Sequence, residues 1–334
     1  MKKVLFIGGY GNISWWCTKF AIEKGFDVYL LNRDLQSGTR RDIPKEAKII
    51  KADYRNQEET KTVLKDYEFD VVCDFICYNK EQAENAVEVF REKTKQYIFI
   101  SSECVYKRVI KNLPFKENSE KYNEDEVGSY ISDKLKAEKI FINEYEKNNF
   151  PITIVRPALT YDTIVPVSIG HNCYTVPKRC LEGRSLLIAG EGNNLYSFTH
   201  SSDFAAAFVE LIGNENTLGE DYHIANQTWR TWNEASEILL DTLGVSNKKM
   251  IHIPFEEVLK LDLPLQSELM YQRMLHNIFD LSKIRKIVPN WNTKISLEQG
   301  YRLTLEWLNE NEKRKRFNPL VNEKLDIVTR IYEE

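Results

Sequence analysis

Through roughly the first 160 residues, short apolar runs alternate with segments whose apolar residues recur every three to four positions. Runs over 3–7, 27–31, 47–51, 70–76, 96–101 and 152–155 predict strands buried on both faces, since each is mostly apolar and long enough only to cross a sheet. The segments between them, 12–24, 56–65, 80–93 and 127–147, carry the helical period. Strand and helix in strict alternation predict an α/β fold, a doubly wound parallel sheet of the Rossmann-like kind with helices on both faces. No internal repeat is present.

After Pro157 the alternation loosens and Gly, Asn and Pro become more frequent. Helices are expected over 201–212, 233–243 and 297–310, with a short strand over 222–225. The expected organisation is a domain over 1–160, which the glycine turn Gly8-Gly9-Tyr10-Gly11 after the first strand marks as dinucleotide-binding, and a smaller, mostly helical substrate region over 161–317. Some of the latter's elements are free to rejoin the main sheet, and 318–334 reads as a docking helix or a tail.

Composition narrows the class. The 334 residues are 42% hydrophobic and 29% charged, enough to bury a large core and inconsistent with a mainly disordered chain. No run approaches the ~20 apolar residues of a membrane span, and the chain enters its first strand without a cleavable signal pattern, so a cytoplasmic protein is expected. With 46 basic and 50 acidic residues, the net charge of -4 gives no general field for nucleic acid or anionic membrane. The basic run Lys313, Arg314, Lys315, Arg316 reads as the solvated end of a helix. Six cysteines lack a CxxC pair and five histidines lack metal-ligand spacing, so reduced thiols and no metal are expected.

Chemistry enters at the first strand. Gly8-Gly9-Tyr10-Gly11-Asn12-Ile13-Ser14 is a glycine turn from strand to helix, which aims backbone N–H groups and a helix dipole at whatever lies above it. Phosphate suits that place: Gly8 permits the tight turn and Gly11 the approach of a pyrophosphate. Ser14 stands where many such motifs carry a third glycine. The second strand ends at Asn32 and Arg33 where a carboxylate would select the dinucleotide lacking a 2′-phosphate. A guanidinium there suits that phosphate, with Arg40 or Arg41 as helpers, so the reading is NADP or NAD with NADP favoured. Asp53 is placed to accept from the adenine amino group.

Tyr130 and Lys134 stand four apart on an expected helix and so share a face. A free phenol titrates near ~10, too high for a base at neutral pH unless a cation stabilises the phenolate. Ser101 and Ser102 add hydroxyls at the carboxyl end of a central strand, where ligands bind such sheets.

These pieces, with Val105-Tyr106, Arg156-Pro157 and His200-Ser201-Ser202-Asp203, resemble the extended short-chain dehydrogenase/reductase family of NAD-dependent epimerase/dehydratase type, over about residues 1 to 310. The resemblance implies that Tyr130 is the general acid/base and that Lys134 lowers its pKa and holds the nicotinamide ribose. It implies that Ser102 hydrogen-bonds the substrate oxygen, that Phe75 and Ile76 line the cofactor, and that Pro157 shapes the nicotinamide pocket.

Departures fall on the substrate side. Cys104 occupies the slot where dehydratases of the family carry a glutamate, and the adjacent Glu103 reads as a polar rim residue. Tyr196 stands where nucleotide-sugar members place an arginine on the pyrophosphate, leaving Lys178, Arg179 or Arg184 to replace it, or a different substrate. His200 reads equally as a substrate contact or a structural histidine. The 190–198 segment is similar to a divergent branch that includes chloroplast stem-loop-binding relatives. Three functions therefore stay open: an NAD(P)-dependent oxidoreductase or epimerase on a sugar-like, including nucleotide-sugar, substrate; a reductase or dehydratase of another small molecule; and a non-catalytic nucleotide- or RNA-binding relative, which the acidic balance disfavours. A homodimer through helices 80–93 and 127–147 is the expected assembly.

Overall fold

The computed structural model describes residues 1–33, 40–171, 173–261, 263 and 269–333. Its first half runs β1 (Lys3–Ile7), α1 (Ser14–Glu23), β2 (Asp27–Asn32), β3 (Lys48–Lys51), α2 (Gln57–Val63), β4 (Val71–Asp74), α3 (Lys80–Phe90), β5 (Tyr97–Ile100), α4 (Ser129–Asn148) and β6 (Ile152–Pro157). The second half adds β7 (Leu159–Tyr161), α5 (Thr175–Leu181), β8 (Leu186–Ala189), β9 (Leu195–Tyr196), β10 (Phe198–His200), α6 (Ser201–Phe208), β11 (Asp221–Ile224), β12 (Arg230–Thr231), α7 (Trp232–Thr242), β13 (Met250–Ile253) and α8 (Phe255–Lys260). Helices Ser282–Ile287, Leu297–Asn309 and Pro319–Glu333 follow. The segment over 318–334 is thus mostly helix, with Glu334 outside the described residues.

Seven strands form one parallel sheet in the order β11-β6-β5-β4-β1-β2-β3. Alternate residues of β1 face opposite cores: Val4 and Phe6 pack under α1 and α6, while Leu5 and Ile7 pack under α3 and α4, all fully buried. Such burial stabilises by roughly 1.5–3 kcal/mol per large side chain. The chain winds one way from β1 to β3 and the other way from β4, so a crevice opens at the carboxyl ends of β1 and β4.

The sheet's outer strand β11 comes from beyond residue 160. Arg156 of β6 pins it, its Nη1 lying 2.7 Å from the Asp221 carboxylate. A separate core gathers β8, α7, β13 and helices Leu297–Asn309 and Pro319–Glu333 around Trp232, Tyr301 and Leu325. No helix among the described residues is long and apolar enough to cross a membrane. No cluster of His, Cys, Asp and Glu suited to a metal ion occurs among them either.

Candidate active site

A trough runs across the carboxyl ends of the strands as three linked cavities of about 410, 210 and 240 Å³. Tyr10, Arg40 and Arg316 line both the first and the second, and Asn12 and Ile164 line both the second and the third.

The glycine turn forms the floor. Gly8 has φ +74°, and a Cβ there would lie 2.6 Å from Cγ2 of Ile76. Glycine is therefore required for both conformation and space. Ser14, in place of a third glycine, ties the turn together: its Oγ accepts from the Gly11 N–H at 2.8 Å and donates to the Gly8 carbonyl at 2.6 Å. Asn12 lines the trough, but its side chain is engaged as a strap. Nδ2 donates to the Thr160 carbonyl at 2.8 Å, and Oδ1 accepts from the N–H groups of Asp162 and Thr163, each at 2.9 Å. The backbone of Asn12 and the second hydrogen of Nδ2 are left for a ligand.

The first cavity gathers Gly8, Asn32, Arg33, Asp53 and Ile76. Asn32 is buried, and its Nδ2 has no hydrogen-bond partner among the described residues. An orphaned buried donor costs ~1–3 kcal/mol, and a ribose hydroxyl or phosphate oxygen would relieve it. Arg33 is exposed and 3.8 Å from the Asp53 carboxylate. Of its expected helpers, Arg40 lines the cavity, whereas Arg41 is locked bidentately onto buried Asp162 at 2.7 and 2.6 Å.

The third cavity gathers Ile13, Phe75, Ser102, Glu103, Tyr130, Lys134 and Pro157. Tyr130, Lys134 and Glu138 follow one another at four-residue steps, so they share one face of α4. Lys134 is buried, and its Nζ donates to the carbonyls of Cys77 at 2.7 Å and Ile100 at 2.8 Å. Its pKa is lowered, chiefly by burial, against the pull of Cys77 and Asp74. An ammonium has three N–H donors, so one remains for a ligand. Tyr130 is half-buried. Ser102 caps the 3-10 turn Glu103–Val105, its Oγ accepting from the Cys104 N–H at 3.3 Å.

Behind this face, Glu138 holds α4 to the sheet. Its carboxylate receives Nε and Nη2 of Arg156 at 2.7 and 2.8 Å, Ser101 Oγ at 2.6 Å and Lys121 Nζ at 2.9 Å. Burial pushes the carboxyl up, but Arg156 overrides it and the pKa falls to about 2. Sequence spacing had pointed to Tyr130 and Lys134, and one further helical step would have reached Glu138.

Glu103 lines the third cavity yet is buried, paired with Arg108 and accepting from Asn277 Nδ2 at 3.0 Å, so its carboxylate is engaged rather than on a solvated rim. Other expected contacts lie elsewhere. Cys104 packs with Val105, Ile131 and Leu135 beneath α4 and faces none of the three cavities. Tyr196 is buried against Phe198 and Trp232, away from the trough. His200 caps α6 through Nδ1, 2.7 Å from Ser202 Oγ, and lines none of the three cavities; burial lowers its pKa to about 4, which favours the neutral ring. The cations expected to replace an arginine at 196 are engaged: Arg179 and Arg184 pair with Asp326, and Lys178 lies 3.8 Å from Glu182 and over Phe317. Conversely, the basic run at 313–316 is not merely solvated, because Arg314 and Arg316 line the second cavity. Trp15 and Trp16 meet edge to face beside Arg41.

The residues fit a dinucleotide: a glycine turn under the centre, an unpaired amide donor with arginines at one end, and a lysine with a spare N–H at the other. The model of the family described as NAD dependent epimerase/dehydratase family matches residues 4–225. The chain is 26% identical over 264 residues to the chloroplast stem-loop binding protein of 41 kDa b of Arabidopsis thaliana, across 75% of this chain and 66% of that protein, just under two thirds of its length. It is 25% identical over 240 residues to the UDP-N-acetyl-alpha-D-glucosaminuronate decarboxylase of Bacillus cytotoxicus, across 70% of each. Among solved structures, the dTDP-glucose 4,6-dehydratase of Bacillus anthracis in complex with NAD superposes with a TM-score of 0.73 at 19% identity, covering 96% of this chain and all of that one. The UDP-glucose 4-epimerase of Thermotoga maritima with UDP-glucose gives 0.74 at 18%, covering 92% and 99%. At such identities the structural likeness establishes a shared fold.

Proposed function

Because the chain belongs to the NAD-dependent epimerase/dehydratase family, we propose that it is an NAD(P)-dependent oxidoreductase or epimerase acting at a hydroxyl or carbonyl carbon of a sugar-like substrate. The observation that carries this reading is the convergence of Ser102, Tyr130 and Lys134 on one cavity at the carboxyl end of β5.

A bound nicotinamide supplies the acceptor and donor of the electron pair. Tyr130 takes the proton from the substrate hydroxyl as its carbon is oxidised, and returns it to the carbonyl oxygen on reduction. Ser102 Oγ hydrogen-bonds the same oxygen and stabilises the charge that develops on it. Lys134, held by two backbone carbonyls, fixes a positive charge on the face that Tyr130 shares and so favours the phenolate. Its remaining N–H serves the ribose next to the reacting ring, while Phe75 and Pro157 wall the cavity.

The favoured cofactor form is NADP. Asn32 offers a donor where a carboxylate would repel a 2′-phosphate, and Arg33 stands beside it. A nucleotide sugar is the favoured substrate class, supported by the names of the decarboxylase, dehydratase and epimerase relatives. The tyrosine at 196 means that its diphosphate would be held by other groups. The stem-loop-binding relative supports a second reading, RNA binding without redox chemistry.

Tyr130→Phe separates the two. It is expected to lower turnover by about 10²- to 10⁴-fold while leaving dinucleotide affinity within twofold. Unaltered turnover, or a purified wild-type protein that neither retains nor binds a dinucleotide by native mass spectrometry and calorimetry, would refute the enzymatic reading.

A further inference from the structure

The second cavity sits over the glycine turn, between the two ends of the trough, and it is walled by a part of the chain far from the sheet. Its lining includes Gly11 and Asn12 from the turn, Arg40 and Arg41 from the segment after β2, and Trp307, Arg314 and Arg316 from the C-terminal region. These last three lie beyond residue 225, where the family match ends.

The four guanidinium groups are not equivalent. Arg41 is neutralised by buried Asp162. Arg314 is held by Glu310 at 2.5 Å and by the Trp307 carbonyl at 2.8 Å, and lies over the Trp307 ring. Arg40 rests on the face of Tyr10, 4.8 Å from its centroid, without an ion-pair partner among the described residues. Arg316 likewise has none among them, and it is exposed. Only Arg40, Arg316 and Tyr10 border both the first and the second cavity. Among the described residues, the second cavity has no carboxylate in its lining and the first has Asp53 alone, which already faces Arg33. Two guanidinium groups without a carboxylate partner among the described residues therefore border the middle of the trough, an arrangement that suits a doubly charged anion with paired oxygens.

The backbone under Arg316 is fixed. Its carbonyl accepts from the Tyr174 N–H at 3.0 Å, and two residues on, the Asn318 N–H donates to Thr175 Oγ1 at 2.8 Å. Phe317 between them lies under Lys178. The C-terminal segment is thus anchored at the start of α5 and brings Arg316 to the same two cavities as Arg40. The turn also has need of it. The Gly11 N–H, a donor that a glycine turn ordinarily offers to phosphate, is engaged by Ser14 Oγ.

We propose that Arg316 and Arg40 grip the bridging pyrophosphate of the dinucleotide from opposite sides, replacing the backbone donor that Ser14 removes. This rests on the dinucleotide reading above and assigns the C-terminal region a direct part in cofactor binding.

The test is calorimetry on the full-length protein with Arg316→Ala, Arg40→Ala and Arg316→Lys. The ligands are NADH, NADPH, ADP-ribose, which keeps the pyrophosphate, and adenosine 2′,5′-bisphosphate, which lacks it. Each alanine variant should bind NADH, NADPH and ADP-ribose about tenfold more weakly, as befits one charge-assisted contact, with adenosine 2′,5′-bisphosphate within twofold of wild type. Arg316→Lys should fall between, since it keeps the charge and loses the fork. Losses confined to NADPH and adenosine 2′,5′-bisphosphate would place the pair on the 2′-phosphate and overturn the proposal. So would Arg316→Ala variants that melt and bind like wild type. A wild-type protein that binds none of the four would instead bring down the dinucleotide reading itself.

Discussion

The two ends of the trough are built by opposite means. At the end bearing Tyr130, the charged groups are buried and matched before any ligand arrives: Lys134 is wrapped by two carbonyls, and Glu138 is saturated by Arg156, Ser101 and Lys121. At the end bearing Arg33, the guanidinium groups of Arg33, Arg40, Arg55 and Arg316 gather around Asp53, the one carboxylate of that cavity among the described residues. The first arrangement fixes geometry and is intolerant of change. The second supplies charge, and its energy is realised only when an anion is present. Proton transfer needs positions held to fractions of an ångström, whereas holding a phosphate needs field and a few donors.

The largest effects should therefore come from the buried end and appear in turnover and stability together. Lys134→Met removes the cation beside Tyr130 and strips the Cys77 and Ile100 carbonyls of a donor. Turnover is expected to fall by about 10²-fold or more, and stability by roughly 1–3 kcal/mol per carbonyl left unsatisfied. Steady-state kinetics and urea unfolding on the same preparation check this. A variant that loses turnover but keeps its unfolding midpoint would show that the wrap around Lys134 is dispensable.

Glu138→Ala should destabilise by about 3–5 kcal/mol, because it leaves Arg156 charged and buried with Asp221 as its remaining carboxylate. A midpoint shift in urea equivalent to less than 1 kcal/mol would contradict that. The same network sets an acid limit. Glu138 is held at about 2 against an ordinary 4.5, so its contribution is complete above pH 4.5 and is lost as the pH falls toward 2, at roughly 1.4 kcal/mol per pH unit.

His200 and His223 act earlier. Burial lowers each from 6.5 to about 4, so the fold favours the neutral ring. Their stabilisation is full above pH 6.5 and declines as the pH falls to 4. The buried carboxyls of Asp74, Glu117 and Asp203 are pushed up by burial and give the opposite slope where they titrate, so the histidines are read by difference: the wild-type urea midpoint should fall more between pH 6.5 and 5 than that of His200→Gln or His223→Gln. A variant whose midpoint falls as far as wild type over that window would mean that the ring it replaces is charged in the native protein.

The contrast between the ends also explains what the sequence discloses. The strands and helices of the sheet are legible because both faces are buried and the period is unbroken. Lys3–Ile7 falls where the apolar run lies, and α4 within two residues of its expected ends. Tyr130 and Lys134 are legible because one helical turn joins them. The arginine cluster is not, since 33, 40, 55 and 316 meet only after the C-terminal segment docks on α5. Nor could the fates of Tyr196 and Glu103 be seen, because the burial of the one and the pairing of the other depend on partners such as Trp232 and Asn277 far along the chain.

The smallest predicted effect tests the exposed end. Arg33 is well solvated and 3.8 Å from Asp53, a pair worth little by itself because water and salt screen it. Arg33→Ala should therefore leave the unfolding midpoint unchanged. A 2′-phosphate would lose a charge-assisted contact, so NADPH should bind about tenfold more weakly, while NADH, lacking that phosphate, should lose less than twofold. Raising the salt concentration should shrink the difference, as it would not for the buried network around Glu138. Equal losses for the two cofactors would move Arg33 off the 2′-phosphate and leave the orphaned amide of Asn32 to be explained by a ribose hydroxyl alone.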